Sequence, residues 1–195
     1  KLAPTLKNIS AEGIRTERVK LLRSAHPERI QDAYMLGITK VILPEWDAMV
    51  GVTQNTPHHK YDVADPTLHA LKNIKRDKIL RLTMLFHDMG KPAMKTTDED
   101  GRDHFKGHAL VSEEIARKIM RRLKFDNDTI KTVTRLVCYH DYRIEATPQN
   151  VRRAMNRIGV ELFPYYLAVR MADVKAQSPY KRRKKIENII EMRRI

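Results

Sequence analysis

Cysteine is almost missing from this chain: Cys138 is the only one among 195 residues. That excludes an internal disulfide framework and suits a reducing cytoplasm. Lying beside Val137 in an apolar stretch, Cys138 reads as packed core rather than as a thiolate nucleophile. Long apolar runs are missing too. None approaches the roughly 18–20 residues that a membrane span needs, and the N-terminal residues lack the apolar core of a signal peptide. Acidic residues fall short of basic ones, 24 against 38, which leaves a formal charge of +14. Such an excess attracts polyanions through counterion release and long-range steering, and nucleic acid is the first candidate. An anionic membrane is a weaker one, because no segment pairs the basic residues with a bulky aromatic face.

What remains is an ordinary globular composition, 42% hydrophobic and 32% charged, in a chain long enough for one large domain or one domain with an extension. Nearly every segment carries helical periodicity, and the fold class expected is all-α. Ser10 can cap a first helix that His26-Pro27 ends, and a second helix stops at Gly37. "VILPEWDAM" then reads as a short apolar connection and "GVTQNTPHH" (51–59) as a loop, so residues 1–52 stand as a separate helical preface. Asp65-Pro66 pairs a capping carboxylate with a first-turn proline, and Asp77 can open the next helix. The polar stretch 93–107 reads as a mobile loop. Helices then follow from Gly107-His108, from Asn127 or Asp128, from Thr147-Pro148 to Gly159, and over Leu162 to Ala176. Ser178-Pro179 opens a basic final helix.

The chemistry concentrates at helix ends. "LFHDMGKP" finishes an apolar helix on the ionisable pair His87-Asp88, where a glycine, a lysine and a proline stop it. Imidazole nitrogen and carboxylate oxygen together suit a divalent ion such as Mn, Fe, Co, Ni or Zn. His108, His140 and Asp173 lie at or near the ends of other expected helices, and a helical bundle can converge such residues on one cavity. Ser112, one turn beyond His108, shares its face. The residues alone leave the alternative that His108 and His140 cap helices and that Asp173 pairs with Arg170.

Apolar-His-Asp-Met-Gly-Lys-Pro, a later Gly-His, the His-Asp at 140–141 and "RMADVKAQS" (170–178) resemble the HD superfamily of metal-dependent phosphohydrolases. The match is closer to the HD-containing C-terminal half of bacterial tRNA nucleotidyltransferases, the CCA-adding enzymes and their poly(A) polymerase relatives. "LKNISAEGIRTERVKLL" (6–22) and "ILPEWDAM" (42–49) are similar to the end of that family's RNA-binding neck and body, and "PHHKYDV" with "TLHAL" to the HD entry segment. The resemblance divides the chain into the end of a helical neck and body (1–52), an HD-domain helical bundle (53–178) and a basic C-terminal helix (179–195). It implies His87, Asp88 and Asp173 as ligands of one divalent metal ion (Mn, Ni, Co, Fe or Mg). It implies His108 and His140 as ligands of a second metal or of the substrate phosphate, and Lys91 as a phosphate-contacting cation. Asp88, Lys91, His108 and His140 would then carry the catalysis, on a phosphomonoester or a 2′,3′-cyclic phosphate of a phosphorylated small molecule or RNA.

Two departures stand out. The family's nucleotide-transfer head has a Gly-Ser signature and paired Asp-x-Asp carboxylates, and no such arrangement precedes residue 6. This chain therefore resembles a fragment or a headless relative, and by itself is not expected to add CCA. Second, where the family expects its first ligand histidine stands Pro66, which has no metal-binding atom. His69, about one turn on, is a substitute candidate, and His58 and His59 are further ones. A three-ligand site can still be catalytic with water in the open position, at reduced affinity. The rival reading is a non-catalytic tRNA-binding module whose metal site has decayed through Pro66.

Three basic clusters match an RNA partner: Arg117, Lys118, Arg121, Arg122 and Lys124; Arg152, Arg153 and Arg157; and Lys181, Arg182, Arg183, Lys184 and Lys185, joined by Arg193 and Arg194. Each alone reads as a solvated face. Together with the summed charge and the resemblance they read as a tRNA contact, resting on backbone and shape because no aromatic RNA-recognition motif is present.

Overall fold

The computed structural model describes residue 5, residues 8–56 and 59–177, residue 179 and residues 181–195; of residues 56 and 59–61 it describes the backbone. His58 and the His59 side chain, both ligand candidates, lie outside the described residues, as does Ser178. Helix α1 (Ala11–Arg23) begins where Ser10 accepts a hydrogen bond from Gly13 N at 3.1 Å, as its sequence implies. A 3-10 turn over Pro27–Arg29 leads into α2 (Ile30–Met35), and Gly37, at φ 72°, turns the chain into α3 (Ile38–Ile42). The expected connection over 42–49 is itself helical. Pro44 opens α4 (Pro44–Asp47), and Leu43, Trp46 and Met49 are wholly buried around it.

Two expected loops carry antiparallel ladders instead. Strand β1 (Thr53–Thr56) pairs with β2 (His59–Asp62), Thr53 opposite Asp62. Further on, β3 (Thr96–Thr97) pairs with β4 (Asp103–His104) after the short helix α7 (Lys91–Met94). The second ladder is pinned to the first: Asn55 N donates to Asp103 Oδ2 at 2.7 Å and Lys95 Nζ to the Thr53 carbonyl at 2.7 Å. Polar side chains that read as solvated loop, Lys95 and Asp103, make these bonds, so the 93–107 stretch is anchored to β1 rather than free.

The remaining helices are α5 (Ala64–Asn73), α6 (Lys78–Phe86), α8 (His108–Arg122), α9 (Asn127–Tyr139), α10 (Pro148–Ile158), α11 (Phe163–Ala176) and α12 (Arg182–Arg194). Asp77 and Thr147 cap α6 and α10 as expected. Helix α5 starts two residues earlier than its sequence suggested, at Ala64, whose N donates to Asp62 at 2.8 Å. Helix α9 begins at Asn127, one of the two expected starts, with Asp126 as its cap.

Helix α6 is apolar almost all round, "KILRLTMLF", and such a helix must be surrounded. Every residue from Leu80 to Phe86 is buried, with α5, α9 and α11 packed about it. Its Arg81 guanidinium spends its donors on main-chain carbonyls: Ile74 at 3.0 Å, Leu22 at 2.5 Å and Ser24 at 3.3 Å. The end of α1 is thereby tied to the central helix. Leu22, Ile30, Leu43, Trp46 and Met49 of the N-terminal helices share one buried cluster with Leu71, Leu85, Phe86, Ile119 and Val133. A second cluster of Leu136, Val151, Ile158, Tyr166, Ile189 and Met192 fixes α10 and α12 against α9 and α11. At about 1.5–3 kcal/mol per fully buried large apolar side chain, these clusters hold rigid the helix ends where the ionisable residues sit.

A candidate metal centre

Three histidines end or begin three helices, and each is locked in the same way. His87 follows the last residue of α6 and donates its Nδ1 hydrogen to the Met84 carbonyl at 2.6 Å. His108 opens α8 and donates to the Phe105 carbonyl at 2.8 Å; His140 follows α9 and donates to the Val137 carbonyl at 2.6 Å. A carbonyl can only accept, so each Nδ1 carries a proton, and in the neutral ring it is Nε2 that keeps the lone pair. All three Nε2 atoms converge. His108 Nε2 lies 3.0 Å from His140 Nε2, and Asp88 Oδ1 lies 3.3 Å from the first and 3.8 Å from the second. His87 Nε2 sits 3.3 Å from Asp88 Oδ2 and 3.6 Å from Asp173 Oδ1, contacts of ion-pair length that leave the atom buried without a hydrogen-bond partner.

Lone pairs facing one another at 3.0 Å repel unless a cation lies between them, and a buried orphan nitrogen costs its desolvation. Asp88, His108 and His140 present one ligand atom each, all within 4.8 Å of one another, and could hold a metal ion. Such an ion answers both problems, and the mixed imidazole and carboxylate donors suit it. The residues present therefore fit a divalent metal.

Charge points the same way. Burial favours neutral His87, but Asp88 and Asp173 reverse this and raise its pKa to about 10. The two carboxylates call for positive charge between them, from a proton or from a metal ion. Burial also works against ionised Asp88, yet His87, Lys91 and His108 hold it well below the usual carboxylate range. For His140 burial and the neighbouring His87 act together, lowering it to about 4 and leaving a neutral, ligand-competent ring.

The surroundings orient these groups. Lys91 Nζ bonds Asp88 Oδ2 at 2.8 Å and Gln54 Oε1 at 3.2 Å, which keeps it at the site's edge. Asp173 uses Oδ2 for Gln177 Nε2 at 2.9 Å and for Arg170 at 3.7 Å, leaving Oδ1 toward His87. The Arg170 pairing suggested by sequence thus coexists with a ligand orientation. Gly90 N donates to Ser112 Oγ at 2.8 Å, and a Cβ at Gly90 would lie 2.4 Å from the His108 carbonyl oxygen. That glycine, read from sequence as a helix stop, is the space through which α8 approaches.

Sequence reasoning missed Gln54 and Gln177. Gln177 had a signal, one turn after Asp173 on the same helix face. Pro66 is half-buried in the first turn of α5, and the next residue, Thr67, is buried with its Oγ1 unpartnered. His69 is exposed on α5 and is not among the residues brought together with Asp88, His108 and His140. Cys138 is half-buried rather than core, and burial and Glu113 push its thiol up to about 11, so it is no thiolate at neutral pH.

The basic clusters fare unequally. On α8, Arg117 pairs with Glu113 and Glu114, Arg122 makes two bonds to Glu45 at 2.6 and 3.0 Å, and Lys124 pairs with Glu12. On α12, Arg183 pairs with Glu187, and Lys185 Nζ reaches Gln177 Oε1 at 3.3 Å, as Arg182 reaches the Gln177 carbonyl. The block at 181–185 is thus joined to Asp173 through Gln177. Arg152 and Arg153 on α10 are exposed and, among the described residues, have no acidic partner.

Fold and site together define a helical protein with a buried His–Asp centre able to hold a divalent ion. The HD domain family matches residues 58–190, and the chain belongs to it. Residues 1–50 match a second family, described as the probable RNA and SrmB-binding site of polymerase A. The A-adding tRNA nucleotidyltransferase of Deinococcus radiodurans is 35% identical over 85% of this chain and 39% of that protein. The CC-adding tRNA nucleotidyltransferase of Thermus thermophilus is 34% identical over 73% of this chain and 34% of the relative. The multifunctional CCA protein of Actinobacillus pleuropneumoniae is 26% identical over 80% and 40%. The chain spans two-fifths or less of the length of these curated relatives. Among the described residues no helix is long and apolar enough to cross a membrane.

Proposed function

We propose that this chain is the metal-dependent phosphohydrolase module of a tRNA nucleotidyltransferase-like protein, hydrolysing phosphomonoesters or 2′,3′-cyclic phosphates and contacting tRNA. What carries the reading is the buried set Asp88, His108 and His140, whose ligand atoms lie within 4.8 Å of one another, with His87 Nε2 between the other Asp88 oxygen and Asp173 and each imidazole bonded at its Nδ1. Asp88, His108 and His140 would hold one divalent ion, and His87, Asp88 and Asp173 would hold one on the other side of the shared aspartate. Imidazole-rich donors favour Mn, Fe, Co or Ni over Mg. When bound, the metal supplies an acidified water and a Lewis acid for the phosphoryl oxygen.

The protein groups supply the rest. Lys91 Nζ, partly open to solvent at the edge of the site, is placed to neutralise a phosphoryl oxygen as charge builds there. Asp88 keeps its charge and can accept a hydrogen bond from an attacking water, which orients it. Gln177 and Arg170 hold the Asp173 carboxylate in one orientation, so no reorganisation is needed during reaction.

The rival, a tRNA-binding module without catalysis, is favoured by one observation: Pro66 offers no ligand atom where the resemblance expects a histidine. Metal analysis and hydrolysis separate the two. Wild type should carry Mn or Ni and cleave a phosphomonoester or a 2′,3′-cyclic nucleotide, and Asp88→Ala should do neither. Equal metal content in both proteins would refute the centre, and tRNA binding without hydrolysis in Mn or Ni would favour the rival.

A further inference from the structure

A cleft whose lining includes none of the centre's ligands opens along α10. Tyr142, Ile144, Asn150, Arg153, Asn156 and Arg157 line it, and its volume is about 550 Å³. Small-molecule sites commonly fall at about 300–1,000 Å³. One wall is α10, whose other face, Val151, Ala154 and Ile158, is buried, so Arg153, Asn156 and Arg157 point outward by helical periodicity.

The rings and cations here form a ladder. Arg135 lies over the Tyr139 ring at 5.8 Å; Tyr139 meets Tyr142 edge to face at 5.9 Å; Arg157 lies over Tyr142 at 5.5 Å and its NH1 is 3.4 Å from the Tyr142 hydroxyl. Among the described residues Arg152, Arg153 and Arg157 have no acidic partner, unlike the arginines Arg117 and Arg122 of α8. The floor is held in place. Tyr166 donates its hydroxyl to the Tyr142 carbonyl, and Asn188 of α12 brackets the next turn, donating to the Ile144 carbonyl at 2.8 Å and accepting from Ala146 N at 2.9 Å. The backbone that carries Tyr139 and Tyr142 also carries His140.

Unpaired guanidinium groups, a half-buried phenol ring and two amide side chains in one cleft match a single-stranded nucleotide. Its base can stack on an aromatic or a guanidinium plane, its edge can bond to amides, and its phosphate can meet arginine. A duplex would offer phosphates but no free base face.

We propose that the Tyr142–Arg157 cleft is a subsite for one unpaired nucleotide of an RNA strand, with the base against Tyr142 and Arg157 and a phosphate on Arg153. The proposal rests on the RNA partner of the reading above and adds where, and in what form, the strand is held. Asn150 and Asn156 line the same cleft and meet the base edge.

The test is fluorescence anisotropy with a labelled single-stranded RNA hexamer, in EDTA so that cleavage contributes nothing. Tyr142→Ala should weaken binding about 5- to 100-fold, the loss of one stacked base, and Tyr142→Phe should restore most of it. Arg153→Gln should make the salt slope shallower by about 0.7, the loss of one phosphate contact. Because Tyr142 also packs on Tyr139, Asn156→Glu, an exposed change that puts negative charge at the cleft, serves as a second probe and should weaken binding at least 10-fold. If wild type binds the hexamer and Tyr142→Ala and Asn156→Glu bind it equally well, the subsite is refuted while the RNA partner stands. If wild type binds tRNA in the same assay but not the hexamer, the subsite falls and the RNA partner stands; if it binds neither, both fall, and the hydrolytic centre is untouched.

Discussion

Gly90→Ala is the sharpest probe of how the centre is assembled. The backbone there has φ −82°, which any residue adopts, so an alanine meets no conformational objection. The objection is spatial. Its Cβ would stand 2.4 Å from the His108 carbonyl oxygen, 2.6 Å from Ser112 N and 2.9 Å from Ser112 Oγ. The first distance is about 1 Å inside an ordinary non-bonded separation, and the two nearest atoms are backbone, so α8 must move as a unit. Overpacking of this kind costs about 1–3 kcal/mol, and loosening the Gly90 N to Ser112 Oγ bond about 1 kcal/mol more. For a chain of this size a loss of about 2–4 kcal/mol lowers Tm by roughly 5–15 °C. The displaced element carries His108, and a shift of about 1 Å at a reacting centre can cost around 100-fold in rate. Calorimetry with metal analysis of the same sample checks both effects. Adding Ser112→Ala removes the hydroxyl but leaves the two backbone contacts, so it should not rescue the variant. Rescue by that second change, or a Gly90→Ala protein with unaltered Tm and metal content, would refute the close-approach argument.

Two further outcomes are expected. Pro66→His places an imidazole at the first turn of α5, where the departing proline costs little helix, and should tighten Mn or Ni binding about 10-fold or more in a metal titration; unchanged affinity would show that this position does not face the centre. Cys138, raised to about 11 against an ordinary 9, should react with iodoacetamide at pH 8 about 100-fold more slowly than a free thiol and gain rate only as pH climbs toward 11. A rate that levels off near pH 9 would show that burial and Glu113 do not shield it.

The helices were legible because periodicity, capping residues and helix-stopping glycines agree locally, and a local signal suffices for a local structure. Ser10, Asp77 and Thr147 cap where the sequence places them. The two hairpins were not legible. Their strands are two to four residues long and mostly polar, and what makes them strands is a partner across a turn, such as Thr53 opposite Asp62, and a tie between the ladders, Asn55 on Asp103, forty-eight positions away. The same division runs through the centre. Each of His87, Asp88, His108, His140 and Asp173 could be named because it ends or nears the end of an apolar helix, but the Nδ1 bonds that free the inward nitrogens depend on backbone geometry that no composition records.

The basic residues teach the complementary lesson, because there a strong sequence signal misleads on its own. The densest run, 181–185, is drawn inward in part: Arg182 and Lys185 bond Gln177, which bonds Asp173, while the exposed Arg183 pairs with Glu187. Arg117, Arg122 and Lys124 find acids from α8 itself, from α4 and from α1, partners up to 112 positions away. Neutralising 181–185 would therefore disturb the Asp173 orientation as well as the surface charge, and cannot serve as a clean test of RNA contact. Among the described residues the modest trio Arg152, Arg153 and Arg157 has no acidic partner, and Arg153 and Arg157 line one cleft with Tyr142, which had no place in any motif. Which cations are free to meet a phosphate is decided by tertiary pairing, and it is the free ones, not the most numerous, that mark the surface for RNA.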